Sequence, residues 1–193
     1  MPLLLNAATN PGTAQWTEAS DLGLTSFVQV INQQTLGVAG SFSQVTFSKK
    51  WRVVEVYFAV LSTRLTGGNG DDLQMQVNGS TSYDSAGYFG SSVWTTYANI
   101  NYPIVGRIGS AALGTKFSQA IARMVDPMNS TVGFTVSCTS ETVLADYSSG
   151  TNWSGTRMGF VNNVAGPLAT IDIISTGFAA GSSMTVLGYG EYA

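Results

Sequence analysis

Apolar and polar residues alternate along much of this chain from residue 41 onwards, with the period of two that is typical of β-strands. The clearest example is Leu73-Gln-Met-Gln-Val77, in which three apolar residues share one face and the turn-forming pair Asn78-Gly79 follows directly. The run from Trp51 to Leu61 is nearly continuous in apolar residues, with Glu55 at its middle. It therefore indicates a strand that is buried mostly on both faces.

Other short segments also have the composition of strands, and turn signals separate them. They are Val93 to Tyr97, Phe117 to Val125, Val132 to Cys138, Thr142 to Tyr147, Arg157 to Val161, Ala169 to Ile174 and Met184 to Tyr189. The segment from 117 to 125 also suits a short helix, and Asp126-Pro127 ends it in either case. About nine or ten strands in ~150 residues, without helical periods between them, predict an antiparallel β-sandwich of jelly-roll type.

The same alternation predicts which side chains form the core of the sandwich. These are Val53, Val56, Phe58, Leu73, Met75, Val77, Phe134, Val136, Ile171, Ile173 and Leu187.

The first forty residues lack this regular pattern. Residues 1–21 contain Pro2 and Pro11 on a polar background and follow neither the strand nor the helix period, although 27–31 suits a strand. We therefore predict an extended N-terminal arm over residues 1–40 and a sandwich domain over 41–193. Such an arm buries too little surface to fold alone and gains stability when it lies on another surface. Its apolar residues are its expected contacts, namely Leu3, Leu4, Leu5, Trp16 and Leu22.

The composition favours a protein whose surface is covered by other molecules. Charged residues make up only 10% of the chain, against about 25% in an average soluble protein. Interface cores are similarly depleted in charge. The net charge is −3, and Lys49, Lys50 and Arg52 form the one basic cluster, at the entrance of a strand. This is not the basic face that nucleic-acid binding requires, so we expect no nucleic-acid partner.

The sequence also bears on membranes and on the site of synthesis. No apolar run is long enough for a membrane helix, and Met1 to Leu5 lacks the basic start of a signal peptide. Cys138 is the only cysteine and shares the apolar side of its segment, which indicates a buried thiol that behaves as a small hydrophobic residue. We expect no membrane partner and synthesis in a reducing cytoplasm.

The inventory of reactive residues argues against an enzyme. The chain has no histidine, which excludes the His-dependent forms of activated Ser or Cys nucleophile. Two carboxylates suffice for glycoside hydrolysis, but most of the 11 acidic residues lie in predicted turns, and edge or interface positions explain Glu55 and Asp172 more simply. Asp71 and Asp72 lack the spacing of a calcium loop. We predict no catalytic residue, no metal site and no cofactor.

Aromatic residues in or beside Gly- and Ser-rich loops are the best lead to a binding function. A flat apolar ring beside Asn and Asp suits a sugar, and the same residues suit a protein interface. They also suit loop anchors that pack back on the sandwich, and the sequence leaves these alternatives open. The candidate ligand-binding aromatics are Tyr83, Trp94, Tyr97 and Trp153.

Three stretches of the chain resemble a β-sandwich module of tailed-bacteriophage virion proteins. They are Gly70-Asp-Asp-Leu-Gln-Met-Gln-Val-Asn-Gly-Ser-Thr-Ser-Tyr83, Ala120-Ile-Ala-Arg-Met-Val-Asp-Pro127 and Ile171-Asp-Ile-Ile-Ser-Thr-Gly-Phe-Ala-Ala-Gly-Ser-Ser-Met-Thr-Val-Leu-Gly-Tyr189. In that module a strand ending in an Asn-Gly or Asn-Asp turn precedes a Tyr. Its last two strands are joined by a turn of Phe, two residues and Gly-Ser, and they close with a Leu-Tyr-Gly-like end. Here the end reads Leu187-Gly-Tyr-Gly190, with one inserted Gly.

The resemblance implies a jelly-roll protein of the virion surface, in a family that is generally trimeric. Only about forty residues precede the sandwich, and no heptad or collagen-like stretch forms a shaft. We therefore expect a capsid decoration (cement) protein on the outer surface of the phage particle, made in the host cytoplasm, which bridges and stabilises capsid subunits. Its expected partners are further copies of itself, as a homotrimer, and the major capsid protein or other virion proteins. The alternative is a receptor-binding or fibre module that recognises host surface glycan through Trp94 and Trp153.

Overall fold

The computed structural model describes residues 3–6, 15–18, 28–63, 71–89, 93–109, 117–128, 135–146, 150–162, 166–175 and 177–191. Every regular element in these ranges is a β-strand, and every pairing between the strands is antiparallel. The predicted all-β class is therefore confirmed, and the segment that suited either a strand or a helix is the strand Ser118–Val125.

We number the strands in chain order. They are β1 (Leu3–Asn6), β2 (Gln15–Glu18), β3 (Val28–Thr35), β4 (Val45–Thr46), β5 (Trp51–Val60), β6 (Asp71–Val77), β7 (Tyr83–Phe89), β8 (Val93–Ile100), β9 (Ile104–Ile108), β10 (Ser118–Val125), β11 (Thr135–Asp146), β12 (Gly150–Asn162), β13 (Thr170–Ile174) and β14 (Ser183–Glu191).

The strands form three sheets. A large sheet has eight strands in the order β3-β14-β5-β10-β11-β12-β7-β8, and a small sheet has four in the order β4-β13-β6-β9. β1 and β2 pair only with each other among the described strands. The apolar faces of the large and small sheets enclose one shared core, to which β5, β10 and β14 contribute from one side and β6 and β13 from the other. This arrangement is a β-sandwich.

The alternation along the strands explains the core. In β5 the buried residues are Trp51, Val54, Val56, Phe58 and Val60, and the residues between Val54 and Val60 are half-buried on the opposite face. Eight of the predicted core residues are buried, namely Val56, Phe58, Leu73, Met75, Val77, Val136, Ile171 and Ile173. Val53 and Leu187 are wrongly placed in that prediction, because their strands turn them outwards and leave them half-buried. Phe134 lies outside the described residues.

The Asn-Gly turn and the Tyr that follows it have a structural role. Asn78 has a φ of 52° and Gly79 one of 63°, as this tight turn requires. The Asn78 side-chain oxygen accepts hydrogen bonds from the backbone N–H groups of Ala169 (2.7 Å) and Thr170 (3.0 Å). Its amide nitrogen donates to the carbonyl of Pro167 at 2.9 Å. Asn78 thus links the end of β6 to the start of β13.

The inserted Gly188 has a packing reason. It lies on the inner face of β14 beneath the indole ring of Trp51, which is only 2% exposed. A Cβ built on Gly188 would lie 2.6 Å from Cε3 and 2.7 Å from Cε2 of that ring, closer than real Cβ atoms approach. Only glycine lets the ring lie this close to the strand.

Part of the predicted arm belongs to the sandwich. β3 pairs with β14 from Val28–Tyr189 to Thr35–Ser183 and is the first strand of the large sheet. A domain boundary at residue 40 is therefore too late, because residues 28–35 are hydrogen-bonded into the sheet. Nearer the N-terminus, β1 and β2 form an antiparallel pair in which Leu5 lies opposite Trp16.

Candidate interface on the large sheet

One face of the large sheet points away from the core, and three rows of residues cross it from β3 through β14 and β5 to β10. The register pairs each residue of a row with the next one. We call this surface the outer face and define it by its three rows, Val28-Tyr189-Val53-Val125, Val30-Leu187-Glu55-Arg123 and Gln33-Thr185-Tyr57-Ile121.

The outer face exposes an unusual share of large apolar side chains. Six large hydrophobic residues are exposed in the described part of the chain, and four of them lie on this face. Their exposures are 39% for Val28, 61% for Val30, 38% for Ile121 and 60% for Val125. Single exposed apolar residues need no explanation, whereas four on one sheet face make that face a candidate contact surface.

Glu55 lies at the middle of the outer face with its carboxylate already bound. Its Oε2 accepts hydrogen bonds from the hydroxyls of Tyr57, at 2.6 Å, and Tyr189, at 2.8 Å. Its Oε1 lies 3.4 Å from Nε of Arg123. The Glu55 side chain is only 14% exposed, whereas that of Arg123 is 55% exposed. Strand geometry explains the cluster, because Glu55 and Tyr57 are two residues apart on one strand and Arg123 lies directly opposite Glu55.

The cluster changes the acidity of its tyrosines. The hydrogen bond to Glu55 is the main cause that raises the pKa of Tyr57, and burial adds to it. Burial is the first cause that raises the pKa of Tyr189, followed by its hydrogen bonds to Glu55 and Tyr57. Both phenols therefore stay protonated at neutral pH and remain donors to the carboxylate.

The outer face carries no net charge. Glu55 and Arg123 are the two charged residues of its three rows, and they pair with each other. Isolated buried charges are costly, whereas a carboxylate with an ion pair and two hydrogen bonds has already exchanged most of its water. A partner that covers this face therefore desolvates apolar atoms, the Gln33 amide and the exposed part of the Arg123 guanidinium, while the Glu55 carboxylate is already bound.

One of the predicted ligand-binding aromatics, Tyr83, lies in the core. Tyr83 is fully buried, and its hydroxyl donates to the carbonyl of Val77 at 3.0 Å and accepts from the N–H of Val77 at 2.7 Å. Burial is the first cause that raises its pKa. The ring is a core anchor with no face open to a ligand, so Tyr83 is withdrawn from the candidate binding set.

The other predicted site residues are placed by their backbones alone. Trp94 lies on β8 opposite Tyr88, and Tyr97 lies on the same strand. Trp153 lies on β12 opposite Val143 of β11. The side chains of these aromatics lie outside the described part of the structure, as do those of Leu3, Leu4, Leu5 and Trp16, and Leu22 lies outside it entirely.

Two buried sites of the described residues contain groups that can react or ionise. Cys138 is buried on β11, and burial raises the pKa of its thiol. The Ser62 hydroxyl donates to the carboxylate of Asp71, and both residues are buried. No group of three or more metal-ligating side chains occurs among the described residues, and none of their elements is a helix long and apolar enough to span a membrane.

Comparison with known proteins gives no family for this chain. No protein-family description and no curated protein matches the sequence. Among solved structures, a protein of unknown function from Shewanella oneidensis MR-1, SO2946, aligns with 88% of this chain and 79% of its own at 10% identity. The TM-score of that alignment is 0.24, which is too low to support an argument about fold or function.

Proposed function

We propose that this chain is a structural protein that attaches to a large protein assembly through its outer face. In the setting that the sequence resemblance suggests, it is a capsid decoration protein of a tailed-phage virion with jelly-roll connectivity. The single observation that carries the proposal is the outer face itself, on which exposed Val and Ile side chains surround a charge pair that is neutralised within the face.

The chemistry of the outer face favours a protein partner. Nucleic acid requires a basic surface, and this face is neutral. Four strands ~4.8 Å apart and ~7 residues long at ~3.4 Å per residue give a footprint of ~450 Å² per partner. The two partners together then bury ~900 Å², just under the ~1,000 Å² expected of a stable interface. A single copy would therefore attach weakly, and many copies on one particle, with the arm as a second contact, would hold through avidity.

A pelleting experiment tests this proposal. Purified protein is mixed with phage heads assembled without it, and the bound fraction is measured after sedimentation. We expect Val125→Glu to lower head occupancy at least tenfold, because it gives the neutral face a net negative charge that the contact must desolvate. Thr46→Glu is the matched control, since it adds the same charge at an exposed strand position of the small sheet. Full occupancy by the Val125→Glu protein would exclude the outer face as the contact.

The predicted arm gives a second test of the same function. Deletion of residues 1–21 removes Leu3 to Leu5 and Trp16 and leaves β3 to β14 intact. We expect the truncated protein to keep its circular dichroism spectrum and to lose capture by undecorated heads. If instead the full chain binds host cells and never binds heads, and Trp94→Ala or Trp153→Ala abolishes that adhesion, the receptor-binding alternative replaces the decoration proposal.

A further inference from the structure

The strand β3 is an edge of the large sheet. One side of β3 pairs with β14, and no strand pairs with its other side among the described residues. Such an edge presents a row of backbone N–H and C=O groups that can extend the sheet by one more strand. The question is which strand the edge accepts.

Among the sheet edges, β3 has the features that permit pairing. In the small sheet β4 has only two residues, and β9 has five residues, a register shift opposite Leu73 and Gln74, and the charged Arg107. β8 is the other edge of the large sheet, but all of its side chains lie outside the described part of the structure. β3 is eight residues long and its side chains are described throughout.

The sequence of β3 lacks most of the devices that keep sheet edges apart. Val28-Gln-Val-Ile-Asn-Gln-Gln-Thr35 has no charged residue and no proline, the residues that commonly protect an edge. One device is present, because Ile31 is an extra residue between the pairs Val30–Leu187 and Asn32–Val186. This bulge increases the local twist and leaves a regular stretch on each side of it.

A second copy of this chain is the partner that this edge suits. Like charges directly opposite each other destabilise a strand pair, and a neutral strand meets a copy of itself without that repulsion. Val28 and Val30 also lie at this edge, and pairing would cover part of both side chains. The outer faces of the two copies would then form one continuous surface with twice the footprint.

We propose that β3 pairs antiparallel with β3 of a second copy, so that two eight-stranded sheets join into one. The pairing is isologous and therefore closes as a two-fold dimer. Backbone pairing along one strand is a small interface, so the dimer dissociates on dilution. This arrangement differs from the homotrimer that the sequence resemblance implies, and the two give different masses.

Sedimentation equilibrium of the full chain measures the mass of the oligomer, and variants show whether the β3 edge forms it. We expect a species of twice the 20.3 kDa chain mass at high concentration. When all eight residues of β3 pair with their copies, the two-fold axis lies between Ile31 and Asn32. Val30→Lys sets two like charges near this axis and should raise the dimer dissociation constant at least tenfold. Val125→Lys is the matched control, since Val125 has almost the same exposure, 60% against 61%, and lies on β10 inside the sheet. Circular dichroism verifies that both variants fold.

Cross-linking identifies the strand. The only cysteine, Cys138, is buried, so Gln33→Cys adds one accessible thiol on β3. A short bismaleimide should then give a covalent dimer, whereas Gln119→Cys on β10 should stay monomeric. A monomer at every concentration, a trimer, or a dimer that Val30→Lys leaves unchanged would overturn the proposal. The test is independent of the proposed function. A dimer that does not bind heads rejects the proposed function alone, and a monomer that binds heads rejects the dimer alone.

Discussion

Replacing Gly188 by Ala tests how closely the Trp51 ring packs on β14. The substitution adds one methyl group where Cε3 and Cε2 of the ring lie 2.6 and 2.7 Å away, so the ring or the strand must move. Overpacking of this kind costs ~1–3 kcal/mol. Alanine returns ~0.5–1 kcal/mol relative to glycine in a strand, because it loses less backbone entropy on folding. The difference between these two ranges is centred on a net loss of ~1 kcal/mol, which is the value we expect.

Urea unfolding followed by circular dichroism measures this loss. With a slope of ~2–3 kcal/mol per molar urea, the unfolding midpoint of Gly188→Ala should fall by ~0.5 M. Gly37→Ala is the matched control, because a Cβ at Gly37 meets no atom within 4 Å and its φ is not in the left-handed region. The control should stay within ~0.5 kcal/mol of the wild-type stability.

A double-mutant cycle identifies the ring as the cause. In a Trp51→Leu background the smaller side chain leaves room for the methyl group, so Gly188→Ala should cost little there. We expect a coupling energy of at least ~1 kcal/mol between the two positions. Equal stability of Gly188→Ala and the wild type, or additive effects in the cycle, would refute the packing argument.

Three further predictions follow from buried or coupled groups. Tyr83→Phe should cost ~1–3 kcal/mol in urea unfolding, because the N–H of Val77 loses its hydroxyl acceptor, while the C=O of Val77 keeps the hydrogen bond from the Ser80 N–H. The pKa values of Tyr57 and Tyr189 are raised in the folded protein, so their contribution to the free energy of unfolding should be complete below pH ~10 and should decrease as the pH rises above it. Phe at both positions should make that decrease smaller. Cys138 should not react with Ellman's reagent until the protein unfolds, and a fast native reaction would contradict its burial.

The alternation of residues was sufficient to predict the strands whose two faces differ. Leu73 to Val77 and Ala169 to Ile174 correspond to β6 and β13, because one face of each meets the core and the other does not. β7 and β9 were not predicted as strands. In β7 the segment Tyr83–Phe89 has polar and glycine positions that suit a loop, and it becomes a strand because β12 and β8 pair with it on its two sides.

The sequence pattern predicts two strands where the structure has one long strand. Val132 to Cys138 and Thr142 to Tyr147 were expected as two strands, whereas β11 runs unbroken over Thr135–Asp146. Its central Thr139-Ser-Glu141 has the polar composition of a turn. These residues stay extended because β12 pairs with β11 over its whole length, so the backbone hydrogen bonds outweigh the local preference.

The outer face could not be predicted from the sequence, because it depends on which residues of neighbouring strands lie opposite each other. In the run from Trp51 to Leu61 both sets of alternate residues are largely apolar, so the sequence does not tell which set faces the core. The one signal was Glu55, two residues before Tyr57, since a charge in such a run is buried only with partners. Its partners Arg123 and Tyr189 are 68 and 134 residues away in the chain and come together only through the order β14-β5-β10.

The Glu55 cluster also sets which partners the outer face accepts. A carboxylate buried without partners is strongly destabilising, and here Tyr57, Tyr189 and Arg123 supply donors before any other molecule arrives. A partner that covers Glu55 thus meets a carboxylate that is already bound, and it needs acceptors only for the exposed part of the Arg123 guanidinium. If the proposed function holds, each charged group that the partner adds beyond a counter-ion for Arg123 would lose its hydration in the contact, which disfavours such a partner. An assembly whose contacting surface is equally poor in charge is therefore the partner that the proposed function favours.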